Sequence, residues 1–245
     1  MVPHEPMRIE ILPQPDDVTC GPTSLHAVYR HFGLQIPLAQ LISEIDFLEE
    51  GGTLAVFLGI DALKRGFGAK IYTFNLRIFD PTWRKLSRED LIAKLEAQLQ
   101  HKHGRKFVQA SKAYIRFLKL GGEIVSEELS AQLLQKYFRA GLPVLAGLSA
   151  TYLYGSHREF TNDQNQSVFD DVAGEPSGHF VVLYGIDEER RVLVADPDAA
   201  TPLGNNHYYH VGSRRLIHAI LLGILTYDAN LLVLSPPSHA FAKES

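Results

Sequence analysis

SGHFVVLYGIDEERRVLVADP, residues 177–197, reads as a β-hairpin. Residues 179–186 and 191–195 are runs of Val, Leu, Ile, Phe and Tyr, the composition of strands, and the charged stretch 187–190 between them is the turn. Antiparallel pairing across that turn brings His179, which starts the first strand, and Asp196, which ends the second, to the same end of the pair. A carboxylate there can accept a hydrogen bond from one ring nitrogen and so fix the tautomer and orientation of the imidazole. A strand-end histidine is ordinary by itself, and Asp-Pro often only opens a turn.

The other informative stretch is QPDDVTCGPTSL, residues 14–25. Residues 20–32 fit a helix, with Leu25, Val28, Tyr29 and Phe32 at i, i+3, i+4 and i+7, Pro22 in the first turn and Gly33 as the stop. Cys20, the single cysteine, therefore opens a helix, where free N–H groups and the macrodipole favour an anion, and the thiolate is the nucleophilic form of cysteine. Gly21 leaves no side chain beside the sulfur, so a substrate backbone can approach. The Cys20 N–H can donate to a developing oxyanion, and Gln14, six residues upstream, could supply a second donor. Free cysteines are commonly buried core thiols, but the polar, turn-like TCGPT is an unusual setting for one. The helix-opening thiol and the His–Asp hairpin together point to nucleophilic acyl chemistry.

Further outward, helices are expected over residues 38–48 and from a Thr53 cap to about 65, with a break at Gly51 and Gly52. Strands fit 69–74 and 143–148, a helix fits 126–140 with Gly141 behind it, and the polar stretch 152–178 reads as a long loop. Residues 216–226 read as helix and 231–234 as a closing strand. His207 and His210 fall in a loop or strand edge and read as surface. At 245 residues the chain fits one α/β or α+β domain.

The net charge of −4 hides an asymmetry. Residues 75–119 hold eleven Lys or Arg against four Asp or Glu, a surplus of seven, so the remainder carries −11. The functional reading of this basic, helix-prone stretch is an anionic partner; the plainer reading is a solvated helical hairpin. Trp83, Phe107 and Tyr114 fall at helical spacing and read as packing residues, which argues against nucleic acid. One cysteine excludes an intramolecular disulfide and a CxxC metal site. His101 and His103 do not share a helix face, and neither a metal nor a cofactor is expected. The longest apolar run, 216–225, is broken by His218 and Gly223, so no membrane association is expected; without a secretory pattern, the cytoplasm is.

Taken together, Gln14, CGPTSL at 20–25, GHFVVLYGID at 178–187 and ADP at 195–197 resemble the peptidase C39-like family of papain-fold cysteine peptidases. The likeness covers about residues 8–75 and 140–235. It implies an α+β, papain-like fold in which an N-terminal helical part, with the nucleophile at a helix start, packs on an antiparallel sheet. One domain over 1–245 would then carry a basic helical insertion at about 76–120. It also implies Cys20 as nucleophile, His179 as base, Asp196 as orienting acid and Gln14 as oxyanion donor, with Gly21, Ser177 and Gly178 beside the substrate. The expected activity is hydrolysis of a peptide or small amide through a Cys20 acyl-enzyme. An acyl- or peptidyl-transferase using an amine acceptor, or a non-enzymatic peptide-binding protein, would use the same fold.

Overall fold

The computed structural model describes residues 6–49, 51–161, 167–204 and 206–237. Helix α1 (Cys20–His31) buries Leu25, Ala27, Val28 and Tyr29, and Gly33 follows it at φ 83°, a left-handed stop that glycine adopts without strain. Helices α2 (Leu38–Glu44) and α3 (Ala55–Lys64) follow. Thr53 does not cap α3. Leu54 holds that position, and the Thr53 hydroxyl instead donates to the Asp46 carbonyl at 3.2 Å, across the turn made by Gly51 and Gly52.

A seven-stranded sheet runs through the centre. Its order is β2 (Glu123–Val125), β1 (Gly68–Thr73), β9 (Asn230–Ser235), β3 (Val144–Ser149), β6 (Gly178–Ile186), β7 (Arg191–Ala195) and β8 (Tyr208–Gly212). Only the β1–β2 pair is parallel. Strand β9, expected as a closing strand, lies inside the sheet between β1 and β3, and all six of its residues are buried. The stretch holding His207 and His210 ends in edge strand β8, whose alternation turns Tyr209 and Val211 inward.

Helices cover both faces of the sheet. Alternate strand residues Leu145, Phe180, Val182 and Leu232 pack with α1, α3 and the basic segment. Val144, Ala146, Val181, Leu183 and Val233 face the other way, onto α6 (Ala131–Arg139) and α8 (Ser213–Leu222). Helix α6 starts later than its sequence pattern suggested because the Ser130 hydroxyl caps it, accepting from the Leu133 N–H at 3.2 Å. The stretch 152–178 is not one loop. It begins in α7 (Ala150–Tyr154) and forms the small pair β4 (Glu159–Thr161) and β5 (Ser167–Phe169); residues 162–166 lie outside the described ones.

The basic segment is part of the core. It forms a 3-10 turn (Pro81–Lys85), α4 (Arg88–Gln98) and α5 (Arg105–Lys119). Helix α5 buries Phe107, Tyr114 and Phe117, and Trp83 is partly buried against the same cluster. Packing of α5 on α3 is close enough to need Gly59, where a Cβ would come 2.7 Å from the Phe117 ring. Some of the surplus charge is met within the chain, by Lys119–Glu96 at 3.0 Å and Arg116–Asp46 at 3.4 Å, although such exposed pairs add little stability. Among the described residues no helix is long and apolar enough to cross a membrane.

Phe117→Ala should therefore lower unfolding free energy in urea by about 3–5 kcal/mol, the cost of emptying a closed aromatic site. A loss below about 1 kcal/mol would mean that the basic segment is peripheral to the fold.

Candidate active site

The hairpin of β6 and β7 needs one irregularity to assemble its polar end. Ile186 pairs with Val192 and Gly185 with Leu193, but the register then slips by one residue, to Leu183 with Val194 and Val182 with Ala195. Side chains alternate along a strand, so a one-residue slip exchanges faces. Continuing past Ala195, Asp196 stands opposite Val181 and so shares the face of His179. Without the bulge it would point to the opposite face.

Asp196 is fully buried and fully hydrogen-bonded. Its Oδ1 accepts from His179 Nε2 at 2.7 Å and from the Asp198 N–H at 2.9 Å. Its Oδ2 accepts from the hydroxyls of Tyr154 and Tyr209, each at 2.6 Å. Burial alone would raise the carboxyl's pKa; the His179 charge and the hydrogen bonds from His179, Tyr154 and Tyr209 outweigh it and hold the group below its ordinary value. The same environment acts on the partners. Burial, then the Asp196 charge, push both tyrosine hydroxyls upward, keeping them as donors.

His179 is 7% exposed. Burial would depress its pKa, but the Asp196 carboxylate and the Cys20 side chain, each by charge and by hydrogen bond, raise it well above 6.5. With Nε2 committed to Asp196, Nδ1 is the ring nitrogen left for the thiol. The fold thus brings Cys20 and His179 to one cleft with Asp196 behind the imidazole, an arrangement able to place a thiol beside a ring that can pass a proton to a leaving group.

Helix α1 delivers the thiol. Thr19 precedes Cys20 without capping the helix, its hydroxyl donating to the Asp16 carbonyl at 3.3 Å instead of accepting from the first N–H groups. The Ser24 hydroxyl donates to the Phe180 carbonyl at 3.1 Å, clamping α1 to β6 one residue beyond His179. Gly21 belongs to the same contact. A Cβ there would lie 2.2 Å from Thr53 Cγ2, so the close approach of the turn before α3 demands the glycine, while the Phe180 ring at 3.4 Å would be in ordinary contact.

Cys20 and His179 open on a cleft of about 200 Å³ whose walls include Asp17, Thr53, Lys106, Gly178 and Asp228. Ser177 stands back from it, sharing a hydrogen bond with the Thr151 hydroxyl at 3.2 Å. Gln14 is not among the lining residues. Its N–H donates to the Pro197 carbonyl at 2.9 Å, which keeps it at the Asp196 end of the hairpin, and its side-chain oxygen is buried without a partner. His207 buttresses the loop after β7 through the Asp196 carbonyl, whereas His210 pairs with Asp187 at the far hairpin turn, each at 2.7 Å. Sequence reading missed Tyr154, Tyr209, Lys106 and Asp228. Tyr209 alone left a signal, in the inward-facing alternation of YYHVG.

The sequence matches the model of the peptidase C39-like family over residues 7–215. Similar solved structures include a putative C39-like peptidase from Bacillus anthracis, 16% identical with a TM-score of 0.48, covering 95% of this chain and 98% of that one. The peptidase domain of Streptococcus ComA, a bifunctional ABC transporter involved in a quorum-sensing pathway, is 14% identical with a TM-score of 0.43, covering 94% and 99%. A double-glycine-motif protease from an AMS/PCAT transporter, in complex with its leader peptide, is 12% identical with a TM-score of 0.44, covering 94% of each chain. No curated protein sequence matches the chain.

The His179–Asp196 pair sets a pH window for stability. Asp196, lowered on folding, contributes stability that is present above its unfolded pKa and lost as pH falls through its folded one. His179, raised on folding, contributes stability that is full below 6.5 and lost as pH rises through its folded pKa. The urea midpoint should therefore fall on both sides of a mildly acidic maximum. Asp196→Asn should remove the alkaline decline attributable to His179; an unchanged pH profile in that variant would contradict the pairing.

Proposed function

The chain belongs to the peptidase C39-like family, and from that premise we propose that it is a thiol-dependent hydrolase cleaving a peptide or related amide bond through an acyl-enzyme on Cys20. The observation that carries this reading is the placement of His179, bonded to a buried carboxylate on one side and, on the other, opening with the Cys20 thiol on one cleft.

In this reading Cys20, as thiolate, attacks the substrate carbonyl carbon. The tetrahedral oxyanion is held by the Cys20 N–H at the start of α1, and the Gln14 side-chain amide, outside the cleft in the free protein, turns toward it as the second donor. Asp196 keeps the imidazolium oriented, and His179 protonates the departing amine as the thioester forms. Water, deprotonated by His179, then attacks the thioester and releases the acid and the free thiol. A peptide substrate suits the cleft, and a reducing, cytoplasmic setting suits a lone reactive thiol.

Cys20 should react with iodoacetamide at neutral pH about tenfold or more faster than an unassisted thiol, and His179→Ala should remove that advantage. An equal rate in the variant would sink the assignment. On any peptide whose cleavage is lost in Cys20→Ala, Gln14→Ala should lower kcat by about 10²–10³-fold while leaving the alkylation rate unchanged. Unaltered turnover would remove Gln14 from the oxyanion site. Trapped acyl-enzyme should decay at the same rate with or without added amines; discharge by amines alone would replace hydrolysis with transfer.

A further inference from the structure

Across the cleft from Cys20 lies a carboxyl group that the reaction above does not use. Asp228 is 7% exposed and sits on the turn between the 3-10 segment (Gly223–Thr226) and β9. Its place is fixed from both directions. The preceding Tyr227 takes a left-handed φ of 72°, the Asp228 N–H donates to the Gly223 carbonyl at 2.8 Å, and its own carbonyl accepts from the Asn230 N–H at 2.5 Å. A Cβ on Gly178 would lie 2.1 Å from Asp228 Oδ2 and 2.6 Å from Thr226 Oγ1. The carboxyl therefore rests against the backbone immediately before His179, and only glycine leaves room for it.

One oxygen of this carboxyl is unmet. The neighbouring Thr226 hydroxyl donates to the Gly223 carbonyl at 3.1 Å, and Oδ1 is buried with no hydrogen-bond partner among the described residues. Buried carboxyl oxygens without a donor are rare. The nearby cation does not supply one: the Lys106 ammonium lies over the Tyr227 ring, 5.0 Å from its centroid, at the edge of the same cleft. Asp228 thus lines the space a substrate must enter to reach Cys20 with one of its two carboxyl oxygens left without a donor.

We propose that Asp228 is the specificity-determining residue of the Cys20 cleft, its carboxyl binding a positively charged amine of the substrate. This rests on the reading of that cleft as the acyl-transfer site. The substrate class it selects carries an ammonium group within reach of the scissile carbonyl, such as a basic side chain or a free amino terminus. Burial pushes the Asp228 carboxyl up to about 7, against the lowering effects of the Thr226 hydroxyl, Lys106 and His179. Ammonium binding should therefore strengthen as pH rises through neutrality. The ionisable groups that share its cleft are Asp17, Lys106 on α5, His179 on β6 and Cys20 on α1, with Tyr114 on α5 buried beside it.

Because Cys20 is the only thiol, the test needs no known substrate. The probes are 2-aminoethyl methanethiosulfonate, an ammonium, and neutral methyl methanethiosulfonate. Thiolate attack on either gives a mixed disulfide and releases methanesulfinate, and the ratio of their rates cancels the thiolate fraction. In the wild-type protein the ammonium-to-neutral ratio should rise about fivefold across neutral pH, the effect of one unit charge at close range in a wet cleft. Asp228→Asn should lose that rise in the ratio while still reacting with the neutral reagent faster than His179→Ala does, which separates Asp228 from the titration of His179. Lys106→Gln, a change outside the core, should keep the rise and move it to higher pH. A ratio flat with pH in the wild type, or a rise that survives in Asp228→Asn, overturns the proposal. Slow reaction of Cys20 with both reagents, unaffected by His179→Ala, would instead overturn the acyl-transfer reading.

Discussion

A carboxylate with no exposed surface has to be surrounded by donors, and the polar end of this protein is organised around meeting that demand at Asp196. Leaving a buried charge unpaired costs about 3–5 kcal/mol, a large share of the stability of a typical domain. The four hydrogen bonds to Asp196 come from β6, α7, β8 and the loop that follows β7. Elements distant in sequence are thereby fixed relative to one another by one side chain. The bulge in the β6–β7 hairpin is the geometric condition for this, since it turns Asp196 to the face that His179 and the two tyrosines share.

The thiol is brought to this assembly by the packing of α1 and one buried hydrogen bond. Apolar residues of α1 lie against the opposite face of the sheet, the Ser24 hydroxyl pins the helix to the Phe180 carbonyl, and Gly21 lets Thr53 close in on the helix start. The helix start therefore arrives at the end of β6, where His179 begins. The basic segment contributes twice to the same region. Phe117 and Tyr114 extend the core under α3 and β9, and Lys106 reaches the wall of the cleft. A stretch distinguished in the sequence by its charge is held in the structure by its apolar face.

Much of the site was legible because its signals are local. A cysteine at the start of an apolar stripe and a hairpin with His and Asp at matching ends can be read from neighbouring residues. The end of the pair was readable; the shared face was not, because a one-residue bulge within GHFVVLYGI leaves no mark in an apolar run. The rest depends on distant elements. Tyr154 looked like one residue in a polar stretch, and only the fold shows it donating to Asp196. Strand β9 sits inside the sheet although it follows every other described element, because pairing order is set by packing and not by chain order. Thr53 had the composition of a cap, but the turn at Gly51 and Gly52 gave its hydroxyl another acceptor. Asp228 belongs to a short turn without any motif, and its interest lies only in what it lacks.

The central claim is that Asp196 holds His179 in its charged form beside the thiol. The direct measurement is a ¹⁵N NMR titration of the His179 ring in the full chain. Both ring nitrogens should carry protons at neutral pH, with the titration midpoint well above 6.5 and falling in Asp196→Asn. A neutral imidazole at pH 7 in the wild-type protein, with the same midpoint in the variant, would contradict it.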